Sequence, residues 1–132
     1  MNKNYPDNFG FIKPVPHPKD HIFGSVESKL KGGPLTDGHW LPYLPDFEAQ
    51  WKGFETQSCT VFGTQNCIEA LTNFFGWNLN FSDRFLAIIA DVDPNQGADP
   101  VHVIETARKQ GLIPESELPF DDTVVNVVQF YS

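Results

Sequence analysis

Prolines divide this sequence into two unlike parts. Seven of its eleven, Pro6, Pro14, Pro16, Pro18, Pro34, Pro42 and Pro45, fall in the first 50 positions, and none lies between Pro45 and Pro94. Each proline fixes φ and removes a backbone donor, so residues 1–50 cannot support long helices. They read as an extended arm laid across a domain formed by residues 51–132. Short strands are expected around Gly10-Phe11-Ile12 and His21-Ile22-Phe23, and a turn at Lys31-Gly32-Gly33-Pro34. Aromatic residues recur along the arm at Phe9, Phe11, Phe23, Trp40, Tyr43 and Phe47, which suits an arm pinned to a core.

Beyond the arm, helical periodicity takes over. From Cys59 the apolar residues Val61, Phe62, Ile68, Leu71, Phe74 and Phe75 recur at helical spacing, with Ser58 placed as N-cap and Gly76 as the stop. The expected helix covers residues 59–75. A second helix is expected from Ser82 as N-cap through Ala90, with Asp83 suited to the macrodipole. A third is framed by Asp99 as N-cap, Pro100 at the first helical position and Gly111 past the end. Its apolar stripe is Val101, Ile104 and Ala107, with Val103 an optional member. Residues 113–120 form a proline-bounded crossing segment. The β-branched tail Val124-Val125-Asn126-Val127-Val128 predicts a strand.

The 132 residues suffice for one core, and 40% of them are hydrophobic. A net charge of −8 argues against nucleic-acid phosphates and anionic membrane surfaces as partners. No transmembrane run and no signal-peptide h-region are visible. Two cysteines, Cys59 and Cys67, are too few for a disulfide framework. On one helix they are separated by a rise of about 12 Å, beyond bridging distance. No zinc spacing occurs, and the acidic stretch Asp91, Asp93, Asn95, Asp99 lacks the order of a calcium loop. No phosphate-binding glycine loop is present. No metal or cofactor is therefore expected.

Cys59 is the residue with chemical potential. At the first turn of the best helix, peptide N–H groups point at its sulfur and favour the thiolate. Cys67, two turns on, reads as a small buried hydrophobe. The order Trp40, Pro45, Gln50, Cys59, then Thr60-Val61-Phe62-Gly63 and a long helix, resembles the start of a papain-like cysteine protease domain. Gly53 through Glu69 resembles a divergent, phage-type and metagenomic branch of that superfamily. Phe81–Phe85, the helix from Asp99 to Gly111, and Gly111–Phe120 resemble its following segments in the same order. The resemblance covers residues 38–120.

This resemblance implies an α+β fold: the mostly helical half of a papain-like domain, with three helices, a proline-rich arm and a short C-terminal strand. It makes Cys59 the nucleophile and Gln50 an oxyanion-hole donor, with Gln57 as the other option; such donors are each worth about 3–4 kcal/mol. The nine-residue gap from Gln50 to Cys59 is longer than the papain pattern, and Thr60 replaces the family's Trp. The family's His and Asn follow the Cys by about 130–150 residues, and none of His17, His21, His39 and His102 stands in the matching region. The implied function is a cysteine peptidase, or the Cys-bearing portion of one, acting on a peptide or protein with a second chain or further sequence supplying the base. The alternative is an interaction or structural protein, oligomerising or particle-associated, built on that scaffold. The expected setting is cytoplasmic or a viral particle.

Overall fold

The computed structural model of the chain describes residues 10–18 and 39–132. Three helices carry the architecture: α1 (Cys59–Phe74), α2 (Asp83–Ile89) and α3 (Pro100–Gln110). A one-turn helix, α4 (Val127–Phe130), follows, and short 3-10 turns stand at Leu41–Tyr43 and Glu115–Glu117. Helices α1, α2 and α3 pack pairwise. The core between them gathers Val61 and Phe62 from α1, Leu86 and Ala87 from α2, and Val103 and Ala107 from α3. Phe120, Val124 and Phe130 close it from the C-terminal side. Burying each such large apolar side chain contributes about 1.5–3 kcal/mol.

Local chemistry sets the helix ends. Ser82 caps α2 by accepting from the Phe85 N–H at 3.1 Å. Asp99 caps α3 by accepting from the Val101 N–H at 2.8 Å, and Pro100 occupies a position where no donor is needed. Helix α1 ends in a Schellman motif: Gly76, at φ 84°, donates to the Asn73 carbonyl at 2.9 Å, and the Trp77 N–H to Thr72 at 2.8 Å. Its start differs from the expected cap. Ser58 stands at the N-cap position without a side-chain cap bond, because its hydroxyl faces the Thr56 carbonyl at 3.2 Å and the Tyr131 hydroxyl at 2.9 Å.

Two expected helix faces are met in part: Val61 and Phe62 on α1 and Val103 and Ala107 on α3 are buried as expected. On α1 the buried positions are Thr60, Val61, Phe62, Gln65, Glu69 and Ala70, while Leu71, Phe74 and the C-cap Phe75 are exposed. On α3 the buried positions are Val103, Thr106 and Ala107, while Val101 and Ile104 are exposed. In each case the expected apolar stripe is wider than the face that the neighbouring elements cover. The polar residues Gln65, Glu69 and Thr106 share the true inner face with small or branched apolar neighbours.

The predicted C-terminal strand is not there. Residues 127–130 form α4, because Asn126 caps the turn by accepting from the Gln129 N–H at 3.0 Å. The buried Arg84 then draws in the carbonyls of Gln129 at 2.7 Å, Ser132 at 3.1 Å, Phe130 at 3.2 Å and Pro119 at 2.8 Å. Those oxygens serve a guanidinium and not a β-ladder. The fold is therefore mostly helical, and no sheet occurs among the described residues. Extended segments meet only in isolated bridges, Phe11 with Ala98, Trp51 with Glu55, Phe81 with Pro114 and Asp93 with Gly97.

The segment expected as a strand at residues 10–12 makes one such bridge, with the Ile12 N–H donating to the Ala98 carbonyl at 3.0 Å. The expected strand at residues 21–23, the turn at 31–34 and the anchors Phe9 and Phe23 lie outside the described residues. Among the described residues no helix is long and apolar enough to cross a membrane.

Candidate active site

Cys59 is the first residue of α1. Its side chain is half-buried and lines an apolar groove of about 400 Å³ between α1 and α3. Gly63 and Cys67 follow it on the same α1 face, and Phe11, Pro100 and Ile104 stand opposite. Cys67 is exposed in this groove and not a buried hydrophobe. The i, i+4, i+8 spacing of Cys59, Gly63 and Cys67 keeps the floor of the groove small.

The thiol is held in its protonated form. Burial pushes the Cys59 pKa up, the negative charge of Glu55 pushes it further, and only the Thr60 N–H favours the thiolate. This reverses the expectation drawn from the helix end, since one peptide donor does not offset desolvation and a carboxylate. Glu55 is itself fixed in place: its Oε1 accepts from the Gln57 N–H at 2.9 Å and from the Gln50 side-chain amide. Gln50 therefore bonds to the carboxylate that faces Cys59. Gln57 is buried in the left-handed region at φ 58°, and its Oε1 has no hydrogen-bond partner.

Behind the thiol, the tail reaches the helix entrance. The Tyr131 hydroxyl donates to the Thr56 carbonyl at 2.6 Å and lies 2.9 Å from Ser58 Oγ. Burial pushes the Tyr131 pKa up to about 12, so the hydroxyl is a neutral donor and not a base. Among the described residues no histidine lines the groove beside Cys59. His102 is exposed on α3, with Nε2 3.1 Å from the Ala90 carbonyl, and His21 lies outside the described residues. Asp93 closes its own loop by accepting from the Asn95 N–H at 2.7 Å. Among the described residues no group of three or more His, Cys, Asp or Glu is arranged to hold a metal ion.

One cluster escaped sequence reasoning. Glu48, Glu69, Asp83 and Glu115 converge from four separate segments. Asp83 and Glu69 are each only 4% exposed. Burial first, then the neighbouring acids Glu48, Glu69 and Glu115, raise the Asp83 pKa to about 9. Glu69 is raised to about 7 by burial, although its Oε1 accepts from the Phe81 N–H at 2.8 Å. Glu115 is raised by burial while accepting from the Phe120 N–H at 2.6 Å. Each of these acids sits in a different local pattern, so no spacing in the sequence marks the group.

No family model matches the chain, and no match was found among curated proteins or solved structures.

Proposed function

We propose that this chain bears the nucleophile of a papain-like cysteine peptidase, Cys59, and that the base comes from outside the groove-lining residues. The observation that carries this reading is the half-buried Cys59 at the head of the longest helix, open to an apolar groove. The order of residues 38–120 supports it. The groove offers an apolar peptide side chain a place beside the sulfur. In the chemical step, a base would take the thiol proton and the sulfur would add to the peptide carbonyl. The amine would then leave with a proton, and water would release the acyl group. The thiol's raised pKa makes the added base necessary.

The test compares two electrophiles on the same chain. Iodoacetamide reports plain thiol reactivity, and it should favour exposed Cys67 over Cys59 near neutral pH. A leucine-bearing epoxysuccinyl peptide should reverse that preference, shifting the Cys59 to Cys67 labelling ratio by about tenfold or more. Equal ratios for the two reagents would remove the peptidase reading.

A second reading, an oligomerising or docking protein, is favoured by a separate observation. At the C-terminal end of α1, Trp40, Phe74, Phe75 and Trp77 form an exposed run of ring contacts. Such a surface fits a protein contact.

A further inference from the structure

We propose that the backbone at Ala98 is a docking edge for an extended peptide beside Cys59, and that arm residues 10–12 are its built-in occupant, guarding the thiol until displaced. The edge serves the site of the proposed nucleophile, and its role rests on that reading. Its own loop fixes it. Gly97 spends both backbone groups on Asp93: its N–H donates to the Asp93 carbonyl at 2.7 Å, and its carbonyl accepts from the Asp93 N–H at 3.2 Å. Asp99 then caps α3. Between them, Ala98 turns both of its backbone groups to the arm. Its N–H donates to the Gly10 carbonyl at 3.0 Å, and its carbonyl accepts from the Ile12 N–H at 3.0 Å. This is one rung of a parallel ladder, with Phe11 opposite Ala98. A sheet edge takes up an added peptide strand by the same main-chain bonds.

The rung lays the arm along the groove. The Phe11 side chain lines the groove together with Cys59. Phe11 is 52% exposed, so it walls the groove without sealing it, in keeping with a half-buried thiol. One residue earlier, Gly10 lies against the backbone of Gln57, two positions before Cys59. Its φ is 93°, and a Cβ there would strike the Gln57 carbonyl, so only glycine brings the chain this close to the head of α1. Past Ile12 the next N–H on the same side would belong to position 14, which is a proline, and Val15 is 86% exposed. The rung is therefore not extended along the arm. Two backbone bonds and one half-exposed ring make a weak hold, one that a free peptide of the same kind can replace.

The test uses the full chain carrying Gly10→Ala, which drives the arm off and leaves Gly97, Ala98 and Gln57 unchanged. Iodoacetamide labelling of each cysteine is followed by mass spectrometry near neutral pH, with far-ultraviolet circular dichroism reporting the helices. Cys59 should label at least about fivefold faster than in the unchanged chain, because local opening now exposes it. Cys67, already exposed, should change far less. A synthetic peptide of residues 8–16, added at about 1 mM, should restore the slow rate, and the same peptide with Ala at position 10 should not. Phe11→Ala keeps the rung and removes the ring; it should also speed Cys59, and it decides the matter if Gly10→Ala loses helix. An unchanged Cys59 rate in either variant that keeps its helices would overturn the proposal, as would a faster rate in Gly10→Ala that the peptide fails to restore. Iodoacetamide reads access alone, so the docking edge can fail while the epoxysuccinyl preference for Cys59 holds, and the reverse.

Discussion

At the scale of single residues, Gly10 and Gly97 stand where backbones meet closely. A Cβ on Gly97 would stand 2.1 Å from the Gly10 Cα, and one on Gly10 would stand 1.9 Å from the Gln57 carbonyl oxygen. Both glycines also have positive φ, 93° and 87°. Three segments thus meet with no room for a side chain: the arm, the loop before α3 and the residue two before Cys59. Gly97→Ala should expel the arm, since backbone atoms on both sides cannot yield. Chymotrypsin cleavage after Phe11 should accelerate while the helical circular dichroism persists. Gly53→Ala is the reference, because Gly53 shares the positive φ, 83°, but a Cβ there meets nothing within 4 Å. That variant should cost only about 1 kcal/mol of conformational strain and leave the Phe11 site protected. Equal cleavage of the two variants would show that the arm is not held by this contact.

At the scale of elements, what the sequence disclosed depended on how local the determinants were. The ends of α2 and α3 were legible, since Ser82, Asp99, Pro100 and Gly111 act within a few residues of themselves. Cys59 stands at the head of α1 as read, although Ser58 makes no side-chain cap there. The inner faces of α1 and α3 were legible only in part: Val61, Phe62, Val103 and Ala107 are buried as read, but the neighbours leave Leu71, Phe74, Val101 and Ile104 outside. The state of the Cys59 thiol was also hidden, since Glu55 and burial are tertiary facts. The tail was misread because β-branched propensity is weak against a buried guanidinium collecting four carbonyls. That collection makes Arg84 the main tie between α2 and the C-terminal turn. Arg84→Met should cost about 2–4 kcal/mol, as hydrogen bonds to charged groups are worth about 1.5–3 kcal/mol and the freed carbonyls rehydrate in part. Arg84→Lys keeps the charge without the planar fork and should fall between. Urea unfolding measures both; a loss under about 0.5 kcal/mol for Arg84→Met would show the tail is held by Phe130 packing alone.

At the scale of the whole molecule, charge and exposed aromatic surface pull in opposite directions. The chain carries a net charge of −8, which keeps copies apart at low ionic strength. The aromatic run at the far end of α1 favours contact: Phe75 is 68% exposed and Trp77 63%, with neighbouring Leu41 at 78%. Ring contacts at 5.4 Å between Phe74 and Phe75 and 5.5 Å between Trp40 and Phe74 hold these side chains as one surface. Screening should decide between the two. The Debye length falls from about 30 Å at 0.01 M salt to about 8 Å at 0.15 M, which removes repulsion between molecules but leaves apolar burial intact. Self-association should therefore strengthen with salt, opposite to an interface built on ion pairs. Sedimentation equilibrium across a salt series reads this directly. Phe75→Asp should return the chain to monomer at every salt concentration, because it buries a carboxylate in the contact. Substitution at Val125, exposed and on the opposite side of the sequence from this run, should not. A monomer throughout the salt series would overturn the self-association reading.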